Sequence, residues 1–92
     1  MKNIVILISG SGSNMAAIVR RAQQERWTER LGAQVRAVIS NRADAKGLVF
    51  AREQGLATEV LDHKAYASRE DFDAALMQAI DRHAPSLVLL AG

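Results

Sequence analysis

The stretch that decides the fold is N-I-V-I-L-I-S-G-S-G-S-N, residues 3–14. Its first half, Asn3–Ile8, is one Asn followed by a continuous apolar, mostly β-branched run, which is typical of a strand buried on both faces. A loop of alternating Ser and Gly follows it. From Asn14 to about Arg26, apolar residues then recur at helical spacing, at Met15, Ile18, Val19 and Ala22. A strand, a glycine loop and a helix are therefore predicted to open the chain.

The alternation of strands and helices continues to the end of the sequence. Further strands are predicted at Gln34–Ile39, Thr58–Leu61 and Ser86–Leu90. Further helices are predicted over Ala43–Gln54, closed by a left-handed Gly55 and Leu56, and from a Ser68 cap to a stop at Pro85. This order predicts an α/β fold of four parallel strands and three crossover helices.

In the strand order 3-2-1-4, the first two helices cover one face of the sheet and the third helix covers the other. One helix cannot cover a whole face of four strands. We therefore expect residues 1–92 to be a truncated part of a larger domain, with an uncovered apolar sheet face. Such a face would favour self-association into a homo-oligomer, although the sequence leaves the oligomeric state open.

Composition limits the classes of protein and partner. The chain has 92 residues, 49% of them apolar, and no Cys, which excludes a disulfide scaffold, a thiolate metal site and a disordered chain. Its net charge is +2 and it has one Trp, one Tyr and two Phe, so nucleic acid is not an expected partner. No apolar run exceeds five residues, against the ~20 of a membrane helix, so no membrane is expected either. The lack of a signal segment fits the cytoplasm.

The glycine loop, Ser9–Asn14, is the most informative stretch for function. It follows the first strand at the edge of the sheet where ligands of α/β proteins bind. Glycine lets the backbone come close to a ligand, and the N–H groups that open a helix suit a phosphate. A tight turn with Ser13 or Asn14 as an ordinary helix cap would produce the same pattern.

Two other ligand classes fit the loop less well. The dinucleotide fingerprint G-x-G-x-x-G matches Gly10 and Gly12 but fails at Met15, and no acidic residue ends the second strand. Arg42 stands near that position and would accommodate the 2′-phosphate of NADP, so an NADP-binding oxidoreductase module remains the alternative. A flavodoxin-like receiver domain would need an acidic cluster where the Ser/Gly loop stands. The loop favours a phosphate monoester.

Four stretches together closely resemble the phosphoribosylglycinamide formyltransferase family, the folate-dependent enzymes of purine synthesis. They are I-L-I-S-G-S-G-S-N-M (6–15), V-I-S-N-R-A-D-A-K-G-L (38–48), S-R-E-D-F-D (68–73) and A-P-S-L-V-L-L-A-G (84–92). The resemblance covers all 92 residues but only the first half of such an enzyme. It implies a Rossmann-like formyltransferase fold, truncated after its fourth strand.

The resemblance also implies the reaction and part of the site. The family transfers a formyl group from 10-formyltetrahydrofolate to the amine of glycinamide ribonucleotide, and these small molecules would be the partners. Gly12, Ser13 and Asn14 match the loop that binds the ribonucleotide phosphate, and Arg69 matches an arginine of the folate site. An exposed first-turn arginine would suit the pattern at Arg69 equally well.

The catalytic Asn, His and Asp of the family would lie beyond Gly92, so residues 1–92 alone are expected to be inactive. His63, after the third strand, and His83, in the last predicted turn of the third helix, are interpreted as surface and helix-end residues. Neither is a substitute for the missing groups. Two histidines in these places form no metal site, and no metal is expected.

Overall fold

The computed structural model describes residues 1–91. These residues form four strands, namely β1 (Lys2–Ile8), β2 (Ala33–Ser40), β3 (Ala57–Val60) and β4 (Pro85–Leu90). They also form four α-helices, namely α1 (Ser13–Gln24), α2 (Trp27–Leu31), α3 (Lys46–Glu53) and α4 (Arg69–Asp81). A single 3₁₀ turn, His63–Ala65, lies between β3 and α4.

All the strand pairs are parallel, and the strand order is β3-β2-β1-β4, which confirms the predicted fold class. The register pairs Ile8 with Ser40 and Leu7 with Leu90, so the strands end together at one edge of the sheet. We call this the carboxyl edge. It is the edge on which α/β proteins bind their ligands.

The helices divide between the two faces as predicted. Side chains of β1 alternate, so that Ile4, Ile6 and Ile8 pack in one core cluster with residues of α1 and α3. Val5 lies on the opposite face in a smaller cluster, where Leu76, Ala79 and Ile80 of α4 pack. We call these the α1/α3 face and the α4 face.

The first helix ends earlier than predicted. The sequence pattern extends to about Arg26, but α1 stops at Gln24 because Arg26 adopts a left-handed conformation with φ 54°. A short helix, α2, then runs to Gly32, which is also left-handed. The apolar spacing did not reveal this break, because Trp27 continues to pack against the core of the α1/α3 face.

The second predicted helix also begins later than expected, at Lys46 instead of Ala43. The residues before it form a turn, in which Ser40 Oγ accepts from the backbone N–H of Arg42 at 3.0 Å and donates to the Arg42 carbonyl at 2.9 Å. The predicted closure of this helix by Gly55 and Leu56 is confirmed. Gly55 is left-handed with φ 77°, and the N–H of Leu56 reaches back to the Ala51 carbonyl at 3.0 Å.

The exposed side of β4 is the least covered part of the sheet. Leu87 is 49% exposed and Leu90 is 82% exposed, and Val88 between them is also exposed. Through the register with β1, Leu87 lies on the α1/α3 face, whereas Val88 and Leu90 lie on the α4 face. Both faces of this edge strand are therefore partly open. Among residues 1–91, no helix is long and apolar enough to cross a membrane.

Candidate functional site

The glycine loop follows β1 at the carboxyl edge and leads directly into α1. Gly12 is the cap residue of the helix and has φ 75° and ψ 21°, a left-handed conformation that a residue with a Cβ rarely adopts. Its carbonyl accepts the first helical hydrogen bond, from Ala16 N–H at 2.8 Å. The sequence therefore needs a glycine here for the chain to turn from strand to helix.

The start of α1 has no side-chain cap from the described residues. The cap position belongs to Gly12, so neither Ser13 nor Asn14 acts as the ordinary N-cap that the sequence left open. Both residues are exposed. The first-turn N–H groups, the Ser13 hydroxyl and the Asn14 amide are therefore available to a ligand, and the helix dipole favours a negative one.

The start of α4 differs, because a side chain already caps it. Ser68 Oγ accepts from the backbone N–H of Asp71 at 3.1 Å, as the sequence predicted. Arg69, the first residue of α4, is 90% exposed, and among residues 1–91 it makes one ion pair, a long one with Nε 3.9 Å from Asp73 Oδ2. The guanidinium of Arg69 is thus largely uncommitted and reaches into solvent beside the carboxyl edge.

Two clefts border each other between the glycine loop and Arg69. The inner cleft has a volume of about 290 Å³ and is mainly apolar; it is lined by Leu7, Ile8, Ser9, Ile39, Ser40, Asn41, Leu61, Phe72, Leu76 and Leu90. The outer cleft has a volume of about 510 Å³ and is lined by Asn41, His63, Tyr66, Ala67, Ser68, Arg69 and Phe72. Asn41 and Phe72 line both clefts. Gly12, Ser13 and Asn14 line neither, so the structure places the two predicted subsites on one edge but in separate surroundings.

Asn41 is a polar residue of this region that the sequence reasoning did not select. Its side-chain oxygen is buried and has no hydrogen-bond partner among the described residues. Burial of an unpaired amide oxygen is unfavourable, so such atoms are uncommon outside ligand sites and surfaces awaiting a partner. The feature of the sequence that could have identified Asn41 is its position directly after β2, at the carboxyl edge of the sheet.

Arg42, on which the NADP alternative rests, already has an anionic partner. Its Nη2 and Nε lie 3.1 and 3.2 Å from the two carboxylate oxygens of Asp44. The hydrogen bond from Arg42 and its positive charge hold the pKa of the Asp44 carboxyl below its ordinary value. The ion pair is exposed and therefore weak, but a 2′-phosphate would have to displace Asp44 from the guanidinium, so the geometry gives the NADP alternative no support.

The histidines lie apart from the glycine loop. His63 is exposed in the 3₁₀ turn, as predicted. His83 follows the end of α4 at Asp81, one residue past the cap residue Arg82, so its predicted place in the last helical turn is wrong. It is 14% exposed, and its Nε2 lies 2.6 Å from Glu59 Oε2.

Glu59 is shared by His83 and Arg82, which both contact its carboxylate. Partial burial raises the pKa of Glu59, but the hydrogen bonds from Arg82 and His83 outweigh it and hold the pKa below its ordinary value. No local sequence pattern indicates these contacts, because Glu59 is 23 and 24 residues from its two partners. No group of three or more His, Asp or Glu side chains placed to hold a metal ion occurs within residues 1–91.

Comparison with known proteins identifies the fold and the family. The solved phosphoribosylglycinamide formyltransferase of Coxiella burnetii superposes with a TM-score of 0.87 at 43% identity, covering 99% of this chain and 41% of that one. Glycinamide ribonucleotide transformylase 1 of Symbiobacterium toebii gives a TM-score of 0.89, also at 43% identity, over 100% of this chain and 42% of that one.

Sequence comparison gives the same result. Phosphoribosylglycinamide formyltransferase of Escherichia coli K12 is 49% identical over 90 residues, 98% of this chain and 41% of that protein. The human trifunctional purine biosynthetic protein adenosine-3 is 36% identical over 97% of this chain and 8% of that protein. The chain thus spans about two fifths of its bacterial relatives. Residues 2–92 match the formyl transferase family model, and the chain belongs to that family.

Proposed function

We propose that residues 1–92 are the N-terminal, phosphate-binding half of a phosphoribosylglycinamide formyltransferase. The whole enzyme would transfer the formyl group of 10-formyltetrahydrofolate to the amine of glycinamide ribonucleotide in purine synthesis, and we expect it in the cytoplasm. The catalytic Asn, His and Asp of the family would lie outside this segment. The described half would therefore contribute binding, and transfer would need the remaining half.

The observation that carries the proposal is the uncapped start of α1. Gly12 turns the chain into the helix, and Ser13 and Asn14 present exposed side chains beside the first-turn N–H groups. The loop contains no carboxylate that would repel an anion. A phosphate monoester fits this set of donors, and the ribonucleotide carries one. We therefore assign Gly12, Ser13 and Asn14 to the phosphate of glycinamide ribonucleotide.

We assign Arg69 to the folate side of the site. Its guanidinium is exposed at the rim of the outer cleft, where it would attract a carboxylate such as the glutamate tail of the folate. The adjoining inner cleft is mainly apolar and adds the amide oxygen of Asn41, which has no hydrogen-bond partner within residues 1–91. A flat ring system ending in a carboxylate suits such a surface better than a small polar anion does.

A pair of variants of the full-length enzyme tests the two assignments against each other. Asn14→Ala removes a donor to the phosphate, so it should raise the KM for the ribonucleotide about tenfold, the usual loss for one charge-assisted hydrogen bond. It should leave the KM for the folate unchanged. Arg69→Ala should produce the reverse pattern.

Steady-state kinetics with each substrate varied in turn measures both values. Equal changes in the two KM values for Asn14→Ala would contradict a local phosphate role. The identity of the whole enzyme is tested separately, by sequencing the reading frame downstream of the codon for Gly92. An Asn-x-His motif is expected within the next strand-and-loop unit, and its absence would contradict the proposal.

A further inference from the structure

The glycine loop rests against the first turn of α3. Gly12 and Gly47 are both buried, and they meet backbone to backbone. A Cβ placed on Gly47 would lie 3.0 Å from the Cα of Gly12, and one placed on Gly12 would lie 2.7 Å from the Cα of Gly47. Neither residue can carry a side chain unless one backbone moves.

The two glycines differ in the reason why a side chain is excluded. Gly12 is left-handed, so any side chain there is strained whatever space surrounds it. Gly47 lies within α3 and has no such backbone requirement, and alanine is the better helix former at an ordinary helical position. The glycine at position 47 is therefore explained by what a side chain there would meet, the backbone of the loop among it, and not by its own backbone conformation.

Core packing decides which of the two backbones would yield. Leu48 and Ala51 anchor α3 against the sheet and are 1% and 0% exposed. The loop has the neighbouring residues Ser11 and Ser13 in solvent. A side chain at position 47 would therefore press on the backbone of Gly12, which would have to give by a few tenths of an ångström.

We infer that Gly47 is a positioning residue for the phosphate loop: its missing side chain lets Gly12 lie against α3 and so fixes the first-turn N–H groups of α1. This inference rests on the proposed function of the loop. A phosphate held by several short hydrogen bonds is sensitive to such a displacement, because their strength falls steeply with distance and angle. Gly47 itself is buried, so its role would be exerted through the loop.

The test is Gly47→Ala in the full-length enzyme. We expect the KM for glycinamide ribonucleotide to rise about fivefold, as expected for weakened rather than lost hydrogen bonds. The KM for 10-formyltetrahydrofolate should stay unchanged, whereas the thermal midpoint of unfolding should fall, because the added Cβ also crowds the Ile8 side chain. Val49→Ala, an exposed change two residues along the same helix, is the matched control and should leave all three values unchanged.

A second variant separates the effect of the contact with the loop from the effect of the contacts with core side chains. The added Cβ would also lie 2.8 Å from the Ile8 Cδ1 atom and 3.2 Å from the Met15 Cε atom, and these side-chain ends belong to the core. Ile8→Val removes the first contact and leaves the approach to Gly12. The double variant Ile8→Val/Gly47→Ala should therefore keep the raised KM, and it remains foldable if the single variant is not.

Each outcome decides the inference. A raised ribonucleotide KM in both Gly47 variants supports it. Recovery of the wild-type KM in the double variant would assign the effect to core packing at Ile8 and overturn it. An unchanged KM for Gly47→Ala, with a raised KM for Asn14→Ala, overturns the positioning role and leaves the phosphate site standing. Unchanged values for both variants overturn the phosphate site and the positioning role together.

Discussion

The two faces of the sheet are held by different interactions. On the α1/α3 face, each helix buries three residues, and two from each pack with β1 and β2 in one cluster. On the α4 face, Ala79 is the single fully buried residue of the helix. Polar contacts at the two ends of α4 therefore contribute much of what holds this helix against the sheet. Ser68 caps its start, Glu59 contacts the two residues after its end, and Asn3 Nδ2 donates to the carbonyls of His83 and Ala84, each at 3.2 Å.

The difference shows that one face of the sheet holds its loops rigidly, whereas the other leaves open clefts. The glycine loop belongs to the α1/α3 face, where close packing holds the start of α1 in place. The two clefts, by contrast, open on the α4 face beside Phe72 and Leu76. A helix fastened mainly at its ends leaves room beneath its first turns, which a fully packed helix would fill. Anion binding needs fixed donors, whereas a larger ligand needs space.

The largest effect that tests this contrast is expected from a pair of leucine truncations. Leu48→Ala on the α1/α3 face should lower the free energy of unfolding by about 3 kcal/mol, because it leaves a cavity at a site that is 1% exposed. Leu76→Ala on the α4 face should cost about 1 kcal/mol, because Leu76 is only partly buried and borders a cleft. Urea unfolding of the full-length protein measures both. Equal losses would show that the two faces are packed alike.

A smaller effect is expected from the carboxylate that fastens the end of α4. Glu59→Gln should lower the free energy of unfolding by about 1 kcal/mol at pH 7, because the variant loses two charge-assisted contacts at a partly exposed site. The pKa of Glu59 in the folded protein lies below its ordinary value of 4.5. Its contribution is therefore present above that pH and lost as pH falls through the folded-state pKa.

The free energies of unfolding of wild type and Glu59→Gln should accordingly converge below pH 4.5. Unfolding curves at several pH values between 3 and 7 measure the convergence. Arg21→Ala is a suitable control, because Arg21 pairs with Glu25 on the exposed side of α1, and this change should not alter stability measurably. A wild-type advantage that persists at the lowest pH would contradict the role of the ionised carboxylate.

The smallest expected effect concerns the two helix starts. Ser68→Ala should lower the free energy of unfolding by about 0.5 kcal/mol, because the Asp71 N–H loses its side-chain partner at an exposed site. Ser13→Ala, in the first turn of α1, should leave stability unchanged, because its hydroxyl makes no hydrogen bond to the described residues. Thermal unfolding compares the two variants. A loss for Ser13→Ala as large as that for Ser68→Ala would show that Ser13 stabilises α1 and is not reserved for a ligand.

Most of the fold followed from local patterns. The apolar run of β1, the helical spacing in α1, the cap at Ser68 and the Gly55–Leu56 ending each depend on residues within one or two turns of each other. The errors fell where side chains override the pattern. The turn at Ser40 and Arg42 delays α3. The left-handed Arg26 ends α1 early, and the short helix α2 that follows it was not predicted.

By itself, the sequence determined the alternating order of strands and helices, the loop that opens α1 and the four stretches that mark the family, because each is a short-range pattern. Only the tertiary structure decided which distant residues meet. The approach of Gly12 to Gly47, the contact of Glu59 with His83 and the burial of the Asn41 oxygen join residues far apart in the chain. No local pattern records such contacts, since they arise when parallel strands bring separate loops to one edge and helices pack across them.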